Sequence, residues 1–130
     1  IIQNLNLFGT GLRFASYRYD GTDLRALHVD IRGGGHPTLH PDNRHVLTDA
    51  YTREYAEFGD GTTPLRWVNI ESGKETMLAR IRTMPLVEGP MDCLRVDPHP
   101  AWDGSFRRIV FNACPDGRRR VFMADLTASV

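Results

Sequence analysis

Lysine is nearly missing from this chain. Lys74 stands alone beside fifteen arginines. Cysteine is scarce, no apolar run approaches the roughly eighteen residues of a membrane helix, and neither charge is in excess, with 16 basic and 16 acidic residues. Each scarcity excludes something. Balanced charge argues against general binding to nucleic acid or to an anionic membrane, both of which need a basic excess. Cys93 and Cys114 lie outside any CxxC pair and are no disulfide framework. They read as reduced thiols, which points to a reducing, cytoplasmic compartment. The arginine bias reads as compositional, and Arg118, Arg119 and Arg120 as a solvated turn and strand start. There is no GxSxG elbow, no HExxH and no GxxxxGK[ST]. "GTG" at Gly9 to Gly11 is too short for a phosphate loop. The chain opens at Ile1 with neither an initiator Met nor a leader pattern. We read it as a piece of a longer protein, or a processed one.

Helical periodicity is missing too. No window sustains apolar residues at helical spacing behind a cap. The nearest candidate, "KETMLARIRTM" at Lys74 to Met84, follows the turn "ESGK" and reads as a strand. Strand signals recur instead. "LRFASYRY" runs through the hairpin signal "DGTD" into "LRALHVD". "RHVLTDA", "PLRWVNI", "RRIVFNA" and "RRVFMADL" are short and apolar, and turn clusters such as "PDN", "GDGTTP", "ESG" and "PDG" separate them.

The strands repeat. An offset of 63 residues lays His36 on His99, Pro37 on Pro100, Arg44 on Arg107, and Val46–Ala50 on Ile109–Ala113. "LRWVNI" then matches "VFMADL" at an offset of 56, so the first copy carries about seven extra residues in "YTREYAEFGDGTT". A strand–turn–strand unit repeating at this length predicts stacked antiparallel units, as in the blades of a propeller. The fold expected is all-β: a partial β-propeller of about two to three four-stranded antiparallel blades. The units fall at approximately 1–32, 33–85 and 86–130. Opened in this way, the isolated fragment is expected to self-associate through uncovered blade faces and strand edges.

The phrases "GHPTLHPDNRHVLTDAY" and "RVDPHPAWDGSFRRIVFNACPDGRRRVFMADL" resemble the repeats of TolB-like, WD40-like β-propellers. The two together are similar to the C-terminal blades of the oligogalacturonate lyase family. That resemblance implies a seven-bladed propeller cleaving acidic pectin fragments by β-elimination. It also implies a divalent ion, Mn by resemblance, held by histidines and a glutamine. Carried over by position, His36 and His99 match two histidine ligands. Asp97 stands where the family has another histidine, and Leu94 stands where it has the glutamine. The family's base falls upstream of this chain, so the catalytic residues are unassigned and the fragment alone is expected to be inactive.

The residues give the same region independent interest. A residue before proline is pushed toward extended backbone, which applies to His36, Asp97 and His99. An extended chain sets i and i+2 on one side, about 6–7 Å apart. Asp97 and His99 are thus expected to converge on one ion with His36 from the neighbouring unit. Two imidazoles and a carboxylate suit Zn, Fe or Mn. Under the lyase-like reading that the resemblance implies, Arg95 is expected to bind a substrate carboxylate. The plainer alternative is that His-Pro is a turn device. His40 reads as a turn residue, His28 and His45 as strand residues, and Trp67 and Trp102 as core rather than sugar platforms. Three functions remain open: a lyase-like propeller acting on or binding uronate oligosaccharides, a non-catalytic TolB-like platform for protein or peptide, and the propeller of a peptidase. The expected partners are the acidic saccharide and the remaining blades.

Overall fold

The computed structural model describes residues 1–9, 11–52, 54–84 and 95–129. Three antiparallel sheets follow one another along the chain. The first holds β1 (Ile2–Asn6), β2 (Leu12–Ser16) and β3 (Arg25–Ala26). The second holds β4 (Thr38–Leu39), β5 (His45–Thr48), β6 (Thr62–Asn69) and β7 (Glu75–Arg82). The third holds β8 (Ala101–Trp102), β9 (Arg108–Ala113) and β10 (Arg120–Asp125). Among the described residues the helical content is one 3-10 turn, Leu7–Gly9. Each sheet is a meander of neighbouring strands, and together they form propeller blades of three to four strands.

The repeat is visible in the pairing. Leu39 pairs with Val46, and Trp102 with Ile109, both members moved by 63. Val46 pairs with Val68, and Ile109 with Ala124, moved by 63 and 56. The first turn repeats as well. Asn43 N–H donates to His40 O, and Phe106 N–H to Asp103 O. Asn43 and Phe106 hold matching left-handed φ angles of 58° and 56°. Asn tolerates that region and Phe does not; the tight reversal outweighs the preference at the second copy. "LRALHVD" yields only the two-residue β3, because pairing with β2 ends at Ala15–Ala26 and the chain then bends away.

The middle sheet is covered on both sides at β5 and most of β6, which is why burial there is continuous rather than alternating, while β7 is largely exposed. Leu47 and Leu65, with Trp67 beside them, pack on Ile109 and Ala113 of the third sheet and on Leu126 just after it. Val68, on the opposite face, packs on Phe14 of the first sheet and on Ile31 in the link that follows it. The successive side chains of β5 point to opposite faces, so Val46 and Leu47, both fully buried, feed two different interfaces. A buried arginine joins the interface with the first sheet. Arg66, 1% exposed, reaches Glu75 through two bonds of 2.8 Å and lies over the rings of Phe14 and Tyr55. Trp67 and Trp102 sit between the second and third sheets, with His40 edge-on to both and Phe106 tilted against Trp102. His45 stacks on Trp67 at 4.8 Å and 6°. These aromatics are interface packing, as expected of strand Trp.

Removing methyl groups at a two-sided interface leaves a cavity that neither sheet can close. Leu47→Ala is expected to lower stability by about 2–5 kcal/mol. Met77→Ala, at a side chain 52% exposed on β7, is expected to stay within about 0.5 kcal/mol. Chemical denaturation of the two variants in parallel checks this, and equal losses would refute the assignment of Leu47 to an inter-sheet core.

Candidate functional site

His36 lies just before β4, and Asp49 just after β5. Because those strands are antiparallel, the two residues meet at one end of the sheet. His99 lies before β8 at the corresponding end of the third sheet. Asp49 is fully buried and its carboxylate organises the meeting. Oδ1 accepts the His36 backbone N–H at 2.6 Å, and Oδ2 accepts the His99 backbone N–H at 2.7 Å. The His36 Nδ1 lies 3.1 Å from Oδ2 and 3.2 Å from Oδ1. One carboxylate therefore ties two blades together and sets one ring. With Nδ1–H donating to Asp49, the Nε2 lone pair of His36 is left available.

The two imidazoles stack at 3.7 Å between centroids and 16° between planes. His36 is half-buried beneath an exposed His99, and Tyr51 meets His36 edge-on at 4.9 Å. Burial works against protonation of His36, but the hydrogen bond and charge of Asp49, aided by Asp97, outweigh it and raise the His36 pKa. Burial, with the charges of Asp49, Glu54 and Asp97, raises Tyr51. Burial and the Asp49 charge also raise Glu54. The neighbourhood is electronegative, and such a field favours cations.

Asp97 is close enough to act on His36, but its carboxylate is held by Arg95, whose Nε donates at 2.8 and 3.0 Å. Arg95 also lies over the Tyr51 ring at 5.2 Å. Two of the three expected ligands are thus brought together, and the third faces an arginine. Among the described residues no group of three or more His, Cys, Asp or Glu is arranged to hold a metal ion. The stacked rings run side by side, so bringing both onto one ion requires one of them to turn. Leu94 lies outside the described residues, as does Cys93; Cys114 is a buried free thiol.

One expectation of backbone geometry is corrected. His99 is not extended; its φ is 47°. The preference imposed by Pro100 is overridden by the bond from His99 N–H to the neighbouring blade's Asp49. Asp97 and His99 therefore do not share a face through simple strand alternation. Asp49 itself was missed by the search for ligands. The available signal was an acid ending an apolar strand, "VLTDA", at a position that reads Asn112 in the second copy.

A second concave feature adjoins the first. Gly33–Gly35 run from a cleft of about 380 Å³ to His36; the cleft is lined by Arg13, Arg32, Gly33, Glu54 and Tyr55, together with Gly11 and Leu12. Gly35 has φ 65°, and a Cβ there would collide with the carbonyl and carboxylate oxygens of Asp49.

The fold is that of TolB-like β-propeller blades. No family model and no curated protein matches the sequence. Among solved structures the chain is similar to TolB from Acinetobacter baumannii, with a TM-score of 0.62 and 11% identity. That match covers 97% of this chain and 27% of TolB, so the chain spans about a quarter of its length. It is also similar to an oligogalacturonate lyase in complex with manganese, at a TM-score of 0.40 and 16% identity, over 87% of this chain and 41% of that one.

The Asp49–His36 contact has a measurable signature. In metal-free protein, the His36 imidazole is expected to titrate above 6.5 by NMR, and Asp49→Asn is expected to lower that value. Because the folded pKa is raised, the associated stability is present below about pH 6.5 and is lost as pH rises through the folded value. That pH-dependent part should vanish in Asp49→Asn; its persistence would show that another group is responsible. Gly35→Ala is expected to disrupt the same carboxylate and to cost more than the ~1 kcal/mol of a typical substitution, read by thermal melting.

Proposed function

We propose that this chain is part of a β-propeller that binds an acidic, uronate-type oligosaccharide at the His36–His99 end of its blades, together with a divalent cation. One observation carries the reading. A buried carboxylate holds His36 through Nδ1 and leaves Nε2 outward, beside a second imidazole and in an electronegative field. A carboxylate behind a histidine is the usual support of a metal-binding imidazole, since it fixes the tautomer and raises basicity. In this reading His36 and His99 are ligands and Asp97 is the third. Mn is the ion expected by resemblance, and Zn and Fe suit the same donors. When bound, the cation supplies charge neutralisation for a uronate carboxylate, which is what β-elimination requires. Arg95 binds a carboxylate of the ligand, and Tyr51 lines its path. No base is assigned among the described residues, so the reading is one of binding, with elimination as the reaction if a base is contributed from elsewhere.

A second reading has its own support. Arg95 already occupies Asp97, and the third sheet exposes Val121 and Met123, 72% and 66% accessible. Both features suit a non-catalytic TolB-like platform whose partner is a protein or peptide.

Calorimetry with Mn, Zn and Fe separates the two. Under the first reading His36→Ala and His99→Ala each abolish binding of at least one of these ions, and Asp49→Asn weakens it by about 10–100-fold. Unchanged ion binding in both alanine variants, or none in the unmodified chain, leaves the platform reading.

A further inference from the structure

The cleft beside the histidines has a chemistry of its own. Among the described residues neither Arg13 nor Arg32 has an acidic partner. Arg13 donates to the Leu12 carbonyl, and Arg32 lies 5.2 Å above the Tyr55 ring. Both residues line the same hollow of about 380 Å³. Among the described residues other arginines do find acids: Arg18 with Asp23, Arg44 with Glu71, Arg66 with Glu75, Arg80 with Asp60, Arg95 with Asp97, Arg108 with Asp125 and Arg120 with Asp116. Two unmatched forks in one concavity are the donor set for an anion, and a guanidinium suits a planar carboxylate in particular.

The other walls narrow the choice. Tyr55 is half-exposed, and its hydroxyl is anchored by donation to the Arg32 carbonyl at 3.0 Å. The ring is thereby held as a fixed apolar face. Glu54 accepts the Tyr51 N–H at 3.1 Å and still lines the cleft. A carboxylate repels a phosphate dianion more strongly than a singly charged carboxylate, and it is a good acceptor for hydroxyl groups. Guanidinium donors, a carboxylate acceptor and an aromatic face together match a molecule with a carboxylate, hydroxyls and a C–H face. Gly33 and Glu54 connect this hollow to the histidine end through Gly35 and Tyr51.

We propose that the Arg13–Arg32–Tyr55 cleft is a subsite for an acidic sugar residue, bound through its carboxylate and independently of metal. This inference rests on the acidic-saccharide reading above but not on the cation. It makes the site an extended groove, with one sugar beside the histidines and another over Tyr55.

The test is calorimetry on the full chain in chelator, with a galacturonate trimer, a neutral galactose trimer and inorganic phosphate as probes. The acidic trimer alone is expected to bind. Arg13→Gln and Arg32→Gln are each expected to weaken it by about tenfold or more. Tyr55→Phe loses only the anchoring bond and is expected to bind more tightly than Tyr55→Ala. Manganese binding by the two arginine variants, measured without chelator, is expected to equal that of the unmodified chain, which also reports that they fold. Equal binding of the neutral trimer, comparable binding of phosphate, no binding of the acidic trimer, or unchanged affinity in both arginine variants would each overturn the subsite. Loss of ion binding in the unmodified chain would refute the cation reading while leaving this one standing.

Discussion

The Asp49 carboxylate is the constraint on which the site depends. A buried carboxylate is costly to desolvate, and this one is fully inaccessible. It is tolerable because its oxygens receive two backbone N–H groups and an imidazole. Hydrogen bonds to a charged acceptor are stronger than neutral ones, and taking away one donor leaves the charge short of partners. The carboxylate therefore enforces its neighbours: the His36 turn, the His36 tautomer and the approach of the third sheet are set by one group. Thr48 beside it donates to the Gly34 carbonyl at 3.1 Å, so the backbone leading into His36 is held from the same strand end. Gly35 completes the arrangement, because the approach of Asp49 leaves no room for a side chain.

Arg66 does similar work one interface away. It is a buried cation between the first and second sheets, joined to Glu75 and the Arg32 carbonyl. Burial opposes its charge, and the bonds to Glu75 with the nearby Tyr55 more than offset that. Its position also supports the cleft, since Tyr55 has the Arg66 guanidinium near its ring, 5.5 Å from the centroid, and Arg32 near it at 5.2 Å. A charged pair buried against aromatic rings is weak evidence for stability, but its directional bonds fix how the two sheets meet.

The fold was legible in the sequence because the signals were local and periodic. Turn residues, short apolar strands and a 63-residue self-match each rest on neighbours in the chain, and the paired registers repeat at the offsets read there. The candidate site was legible only in part. His36 and His99 were found through the equivalence of the two copies, and they do meet. Asp49 and Arg66 were not found, because each reads as one polar residue in an apolar strand, and only the third dimension supplies its partners. The His99 backbone could not be read from Pro100, because a long-range bond to Asp49 overrode a local preference. The Arg13–Arg32 cleft is invisible in sequence for the same reason: 19 positions separate residues that share one wall.

The two copies also explain why the site is asymmetric. In the middle sheet, His36 N–H is bound by Asp49 of its own unit. The equivalent position in the third sheet is Asn112, whose side-chain amide donates to the Asp97 carbonyl at 3.3 Å instead. His99 is left without an in-unit carboxylate, and its N–H reaches back to Asp49. That single exchange of Asp for Asn turns two equivalent histidines into a cross-blade pair sharing one anion. Had both positions been Asp, each histidine could be held within its own unit, and two buried carboxylates would stand near one another at several kcal/mol of desolvation each. The departure from the repeat is therefore what concentrates the imidazoles at one point, and it is where a chemical function on an otherwise repetitive scaffold is expected to lie.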